Sequence, residues 1–481
     1  MNPSRGPIAH IRGFLAISIT ALALAASGNL FQELGWLVLP EQVMLTILGL
    51  ALALGCLFIP HSGIRLASDA VFAGISITAT FWASWRYPEI SSNFFAHEQE
   101  ITLLGLCITP LLLEVLRRKT GTSLVLVVVV FILYALLADK IPGVLQGRAM
   151  PLRELFGYLA IDSTAMLGTP LTIVVNIVVV YILFGGFLLA TGGSQWFTDL
   201  SAALVGRTVG GSAKISIVSS ALFGSISGSA VANVASTGVI TIPLMKQSGF
   251  SARMAASFEA VASTGGQMMP PVMGAAAFLM AEFLELPYTT VVVAAIVPSF
   301  LFFWAVLVQA DLEARKQNIP PVPSDQIPRL SHIMRQGWYF PIPFAVLIGA
   351  LFWLNRSPAE AAIWAAVIVV ILNLMFGYKG QRIDIRTIWQ SFISTGHASV
   401  EILVIGAVAG LVIGILQVTG LGFGLTFLLV SIGKDSLILL LVLTALIWIV
   451  LGMGMPTTGI YLLVATLAAP PLIELGVEPT A

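Results

Sequence analysis

One apolar stretch of the chain, Ser219–Met245, is bounded by positive charge at both ends, with Arg207 and Lys214 before it and Lys246 and Arg253 after it. Lys and Arg accumulate in the cytoplasmic segments of membrane proteins. A stretch flanked by them on both sides does not cross. Its sequence, SSALFGSISGSAVANVASTGVITIPLM, crowds small residues into the centre: Gly224, Ser225, Ser227, Gly228 and Ser229. Gly costs a helix about 1 kcal/mol against Ala. Small polar residues at membrane depth are tolerated where the backbone leaves the helix and lines a cavity inside the protein. The stretch predicts two half-helices meeting at a Gly/Ser tip, a re-entrant hairpin entered from the cytoplasm. Such a tip offers carbonyls to a cation and N–H groups to an anion. A seam of small residues between packed helices is the competing reading.

A second interrupted stretch, Gly452–Pro471, reads GMGMPTTGIYLLVATLAAPP. Interrupted hydrophobic segments in both halves of a chain point to a transporter's binding site. The composition fits: of 481 residues, 58% are hydrophobic and 10% charged, where a soluble domain carries roughly 25% charged. This excludes a soluble enzyme and predicts an all-α polytopic membrane protein. Lys plus Arg and Asp plus Glu both total 23, which favours neither a nucleic-acid nor an acidic partner. Cys56 and Cys107 lie in apolar runs and read as small buried hydrophobes. The amino-terminal run after Arg5 and Arg12 reads as a retained span rather than a cleaved signal.

Apolar runs long enough to span fall at about 14–30, 42–60, 69–86, 101–116, 123–138 and 170–190, then 252–284, 288–310, 338–355, 358–376 and 396–418. Arg5 and Arg12 put the amino terminus in the cytoplasm. The acidic loops Phe31–Glu41 and Tyr87–Glu100 fall outside, and Arg117, Arg118 and Lys119 close a four-span unit inside. The loop 139–168 is long enough to expect structure of its own, with residues 151–170 along the membrane surface. Lys379, Arg382 and Arg386 lie inside, so the second hairpin enters from outside. Opposite entry sides are what an inverted repeat requires. This divides the chain into a four-span region 1–120, a first half 121–310, a cytoplasmic linker 311–337 and a second half 338–481. Hairpin 1 falls at about 214–247, the broken helix at about 252–284 and hairpin 2 at about 436–472.

The chemistry-bearing residues follow from these interruptions. Ser263–Pro271 reads STGGQMMPP, and Gly265, Gly266 and Pro270 cannot continue a helix. Unwound carbonyls there could ligate sodium without charge. Ser225, Ser227, Ser229 and Asn233 would add side-chain oxygens, with Ser263 and Thr264 across from them. Gly452, Gly454, Pro456, Thr457 and Thr458 form the matching tip, with Thr457 a further sodium ligand. An anionic substrate would sit between the tips, held by N–H groups. Three carboxylates fall within spans, each costing about 2.5–3.5 kcal/mol at a helix centre. Glu114 lies beside Arg117 and Arg118. Glu259 precedes the break and is a possible coupling carboxylate. Glu401 reads as structural. His10, His61, His97, His332 and His397 occupy unrelated positions, so no catalytic residues and no organic cofactor are expected.

The motifs ALFGSISGSAVANVASTG, EAVASTGGQMMPPVMGAAAF and GMGMPTTGIYLLVATLAAP closely resemble the fused membrane component of TRAP transporters (tripartite ATP-independent periplasmic transporters), in the subgroup served by TAXI-type binding proteins. The resemblance covers essentially the whole chain. Residues 1–120 match the small four-span subunit in pattern only, and 121–481 resemble the large permease subunit. It implies an elevator-type secondary transporter of the bacterial inner membrane. Such a protein takes up an organic acid by symport with sodium, using a periplasmic binding protein. The family's two hairpins fall on Gly224–Asn233 and Gly452–Thr458, and its broken span on Ser263–Pro271. The family continues past its second hairpin into a second broken span, whereas this sequence stops at Ala481. The expectation is a truncated record, a separately encoded remainder or a defective protein. A single-component sodium or proton symporter of organic anions is the alternative, and a non-transporting scaffold or membrane-embedded enzyme a more distant one.

Overall fold

The computed structural model describes residues 7–57, 64–380, 382–433, 437–452 and 456–478. Among these residues the regular structure is helical, with no strand. Eight of the described helices are long and apolar enough to cross a membrane. They include Glu98–Thr120, Thr122–Lys140, Thr169–Ala190, Tyr288–Lys316 and Ile385–Thr419. Apolar helices of 10–17 residues accompany them, among them Pro40–Cys56, Pro341–Phe352 and Thr457–Leu467.

The boundaries differ from the hydropathy reading where local chemistry decides them. The run expected at 396–418 belongs to a helix that already begins at Ile385. Asp384 sets that start: its Oδ1 accepts from the Thr387 N–H at 2.7 Å and from the Thr387 hydroxyl at 2.5 Å. A short acidic side chain satisfying early N–H groups is a strong helix start. The run expected at 338–355 contracts to Pro341–Phe352. Pro is preorganised for the first turn, and Asn355, at φ 47°, turns the chain left-handed beyond the end. The first run begins earlier, at Pro7, and ends at Ser27, with Asn29 left-handed at φ 54°.

The chain forms two compact units, Met1–Val179 with Ile393–Ala481, and Val180–Phe392. In the first, Pro40–Cys56 is buried along most of its length. A Cβ at Gly49 would stand 1.7 Å from Thr80 Oγ1, so the missing side chain lets this helix press against Ile64–Ser92. Arg118 ties helix ends together. Its Nη1 donates to Asp69 Oδ1 at 2.7 Å and to the Cys56 carbonyl at 3.0 Å, and its Nε to Glu114 Oε1 at 2.6 Å. Glu114 also takes two bonds from Arg117. The loop after the fifth run contains the helix Leu152–Ile161, which buries Leu155 and Leu159. Gly410 and Gly414 let Ile385–Thr419 approach the backbone around Ala165, where Cβ atoms would meet Ala165 O at 2.2 Å and Ala165 Cβ at 2.7 Å.

The second unit is built on Gly211–Ser227, Ala230–Gln247, Ala252–Gly265 and Tyr288–Lys316. Ile217, Met245, Phe258, Phe303 and Val306 share one buried cluster. Elsewhere in this unit Asp199 Oδ2 accepts from the Tyr378 hydroxyl at 2.7 Å and from Lys379 Nζ at 2.6 Å. Burial and the Asp199 carboxylate hold the Tyr378 phenol well above its ordinary value.

The order of elements recurs along the chain. Gly192 (φ 87°) precedes a 13-residue helix, Gly193–Val205, and Gly420 (φ 75°) precedes another of 13, Leu421–Gly433. After each comes a pair of helices, Gly211–Ser227 with Ala230–Gln247, and Leu437–Gly452 with Thr457–Leu467.

Candidate functional site

The first arm, Gly211–Ser227, and the second arm, Ala230–Gln247, pack together and are joined by only two residues, Gly228 and Ser229. Gly228 is left-handed at φ 57° and returns its N–H to Gly224 O at 3.2 Å. A Cβ there would stand 2.3 Å from Met273 O. Conformation and space therefore both demand glycine. Ser229 starts the second arm, its Oγ accepting from the Ala232 N–H at 3.3 Å. The two arms thus meet at a Gly/Ser turn.

The flanking helix Ala252–Gly265 is followed by an interruption. It tightens into a 3₁₀ turn at Gly266–Met268, passes the cis Pro270–Pro271 bond, and resumes as the helix Ala275–Phe283. The interruption is fastened to its surroundings. The Val272 N–H donates to Ser225 O at 3.1 Å, and the Gly274 N–H to Gln267 O at 2.8 Å. Tyr288 lies with its hydroxyl against the carbonyls of Pro271, at 3.1 Å, and Val272. Its ring stacks on Phe278, centroids 4.4 Å apart. Gly224 and Gly266 cross so closely that a Cβ on Gly224 would lie 2.3 Å from Gly266 Cα. The tip and the broken segment thus form one site.

The sequence-predicted residues divide at this point. Asn233 is fully buried against the Gly224–Gly266 crossing, with Nδ2 donating to Ser220 O at 2.8 Å. The Ser227 hydroxyl is buried at the tip and has no hydrogen-bond partner among the described residues. Ser225 commits its hydroxyl to Leu222 O at 2.7 Å, and only its carbonyl faces the break. Thr264 does not join the site: its side chain is exposed and its hydroxyl bonds back to Ala260 O at 2.8 Å. Gly265 faces another way, since a Cβ there would stand 2.0 Å from Phe302 Cε1.

Glu259 lies deeper, with no exposure, and is ringed by hydroxyls. Oε1 accepts from Thr237 at 2.5 Å and, more weakly, from Ser220 and Ser263 at 3.4 Å each. Oε2 accepts from Ser216 at 2.6 Å and Thr241 at 2.5 Å. No ion pair to Glu259 occurs among the described residues. Ser216, Ser220, Thr237 and Thr241 were not singled out in the sequence, although a signal was there. Ser216 and Ser220, Thr237 and Thr241, and Glu259 and Ser263 are three polar pairs spaced four apart on three consecutive segments. That spacing puts each pair on one helix face.

The second interrupted stretch lies in the other unit. Pro456 is extended and precedes the helix Thr457–Leu467, in which Thr457 is exposed and Thr458 buried. Gly452 ends the preceding helix, and a Cβ on it would come no nearer than 4.0 Å to Ile460 Cδ1. Gly454 lies outside the described residues.

Comparison with known proteins places these features. The family model described as "Tripartite ATP-independent periplasmic transporter, DctM component" matches residues 107–481. The C4-dicarboxylate TRAP transporter large permease protein DctM of Pseudomonas aeruginosa is 25% identical over 299 residues, covering 62% of this chain and 69% of that protein. The 2,3-diketo-L-gulonate TRAP transporter large permease protein YiaN of Escherichia coli is 22% identical over 322 residues, 66% of this chain and 71% of the relative. The sialic acid TRAP transporter permease protein SiaT of Haemophilus influenzae is 23% identical over 327 residues, 66% and 49% respectively.

Proposed function

Because the chain belongs to the DctM component family of tripartite ATP-independent periplasmic transporters, we propose that it imports an organic acid by sodium-coupled secondary transport with a TAXI-type periplasmic binding protein. It works in the bacterial inner membrane with its amino terminus in the cytoplasm. The two helix pairs act as re-entrant hairpins of an elevator-type carrier. In support, neither Gly211–Ser227 nor Ala230–Gln247 is among the helices long and apolar enough to span. Residues 1–120 serve as a fused small-subunit scaffold. The family match begins only at residue 107, leaving the helices before it outside the matched region.

The observation that carries the reading is the Ser227 hydroxyl, buried and without a partner among the described residues, at a tip fastened to a broken helix. Buried polar atoms are nearly always satisfied. One left open beside unwound carbonyls supplies an oxygen to a cation, and sodium is the coupling ion. Ser225 contributes through its carbonyl, and Ser229 and Asn233 border the same tip. The start of the second arm gathers negative charge, which suits a carboxylate substrate. Thr457 and Thr458 take the matching part in the second stretch.

The test is uptake into proteoliposomes. C4-dicarboxylates, sialic acid and 2,3-diketo-L-gulonate form the first panel, each run with and without an inward sodium gradient and a neighbouring-gene binding protein. Uptake that needs both is the expected result. Uptake without the binding protein establishes a single-component symporter instead, and uptake indifferent to sodium overturns the coupling.

A further inference from the structure

Independently of the coupling ion and the substrate, we infer that the short helix Leu330–Gln336, in the segment between the two halves, lies in the membrane interface and binds the headgroups of anionic phospholipids. One side of this helix is fastened to protein. Ile333 is buried. A Cβ on Gly337, just past the helix end, would stand 2.3 Å from Trp196 Cδ1, and Phe340 stacks on the Trp196 ring with centroids 5.2 Å apart. Upstream, the Val322 N–H donates to Gly206 O at 3.1 Å, and Val322 and Ile327 share a buried cluster with Ile215 of the first arm. The inner side of the segment is therefore fixed, and the sequence decides what it turns outward.

The outward side is apolar with a cationic border. Leu330 and Met334 lie one turn apart on one helix face and are 44% and 39% exposed, and Trp338, beyond the helix end, is 49% exposed. The Trp338 ring stands edge-on to Phe376, centroids 5.2 Å apart. Arg335 follows Met334 by one helical step of about 100°, and Arg329 immediately precedes Leu330. Both arginines are exposed, and neither makes an ion pair among the described residues. From Arg329 to Phe340 the sequence has no Asp or Glu. The chain then enters the apolar helix Pro341–Phe352. An apolar strip bordered by arginine and ended by tryptophan is the make-up of a helix lying at a membrane surface. The arginine stems rest on hydrocarbon while the guanidinium groups reach phosphate oxygens. Charge chooses the lipid: two free cations with no carboxylate beside them favour an anionic headgroup over a zwitterionic one. Because the inner side is tied to Gly206 and Ile215, bound lipid would anchor the base of the first arm.

The experiment follows the melting midpoint of the purified chain in a neutral detergent as phosphatidylglycerol or phosphatidylcholine is added. The parent is expected to respond to phosphatidylglycerol at lower concentration than to phosphatidylcholine. A cation near an anionic surface is worth about a fivefold change in affinity, so Arg335→Gln should raise half-saturating phosphatidylglycerol about fivefold and Arg329→Gln/Arg335→Gln roughly twentyfold. Leu330→Ser/Met334→Ser keeps both charges and should raise it about threefold or more. These side chains are exposed, so the buried contacts of the fold stay in place. Arg356→Gln removes a charge beyond the far end of Pro341–Phe352 and should leave the titration unchanged. A double-arginine variant that titrates like the parent, or an Arg356→Gln effect equal to that of Arg335→Gln, overturns the inference. So does an unchanged Leu330→Ser/Met334→Ser titration, since the apolar strip then takes no part. Inorganic phosphate that reproduces the phosphatidylglycerol shift makes this an anion site without a membrane, and overturns it as well.

Discussion

The two interrupted stretches share a plan and differ in what holds them. The first is bound to its neighbours through polar groups: hydroxyls from three segments converge on Glu259, and Ser225 O receives the Val272 N–H. In the second, Ile460, Val464 and Ala468 form an apolar cluster, and the Thr466 hydroxyl returns to its own helix at Leu462 O. Apolar packing is non-directional, whereas a hydrogen-bonded ring fixes register. The lesson is that, among the described residues, one such interruption is flanked by a hydrogen-bonded ring and the other by an apolar cluster.

Substitutions can break this contrast or sharpen it. The largest effect is expected at Gly228→Val, which puts a branched side chain at φ 57° and into Met273 O. Left-handed strain alone costs about 1–3 kcal/mol. Sodium-dependent uptake in proteoliposomes should fall at least roughly tenfold while membrane insertion, followed by fractionation, persists. Full uptake would remove the tip from the site.

Glu259→Ala comes next. Thr237 and Thr241 can fall back on backbone carbonyls at 2.9 and 3.0 Å. Ser216 has no second acceptor among its described bonds, so a loss of about 1–3 kcal/mol is expected. The melting midpoint in detergent reads it. An unchanged midpoint would put the polar ring on a par with the apolar hairpin.

Gly224→Ala and Gly452→Ala pose the comparison directly. The first forces a methyl to within 2.3 Å of Gly266 Cα and should cost about 1–3 kcal/mol of overpacking. At the second, the nearest described atom to a Cβ is Ile460 Cδ1 at 4.0 Å, and the change should stay within about 0.5 kcal/mol. Equal effects would erase the distinction between the two stretches. Between them lies Tyr288→Phe, which removes the hydroxyl from the Pro271 and Val272 carbonyls and should cost about 1 kcal/mol in the same assay.

Much of this was legible before any coordinates. Gly and Ser at 224–229 mark the turn because only a left-handed glycine closes so tight a tip, and Pro270 and Pro271 mark the break because proline cannot continue a helix. The family resemblance rested on those same residues, and the match to the DctM component over 107–481 bears out its large-permease part. The hydroxyl ring was missed because hydropathy counts how polar a segment is, not which way its polar residues face. Ser216, Ser220, Thr237 and Thr241 are unremarkable one at a time and become a set only when three helices are in register. Thr264 failed for the complementary reason. It neighbours Ser263 in sequence, yet one helical step of about 100° swings it out of the site.

The fastening of the first tip also bears on how it could ever open. To lift away, it would have to give up the Ser225–Val272 bond, the seating of Gly228 on Met273 and the hydroxyl grip on Glu259. These sit on both packed arms and on the two-residue turn between them, so lifting the tip strains contacts of both helices together. Opening the tip therefore means exposing hydroxyls and carbonyls of two helices at once, a polar cost that apolar packing alone does not carry.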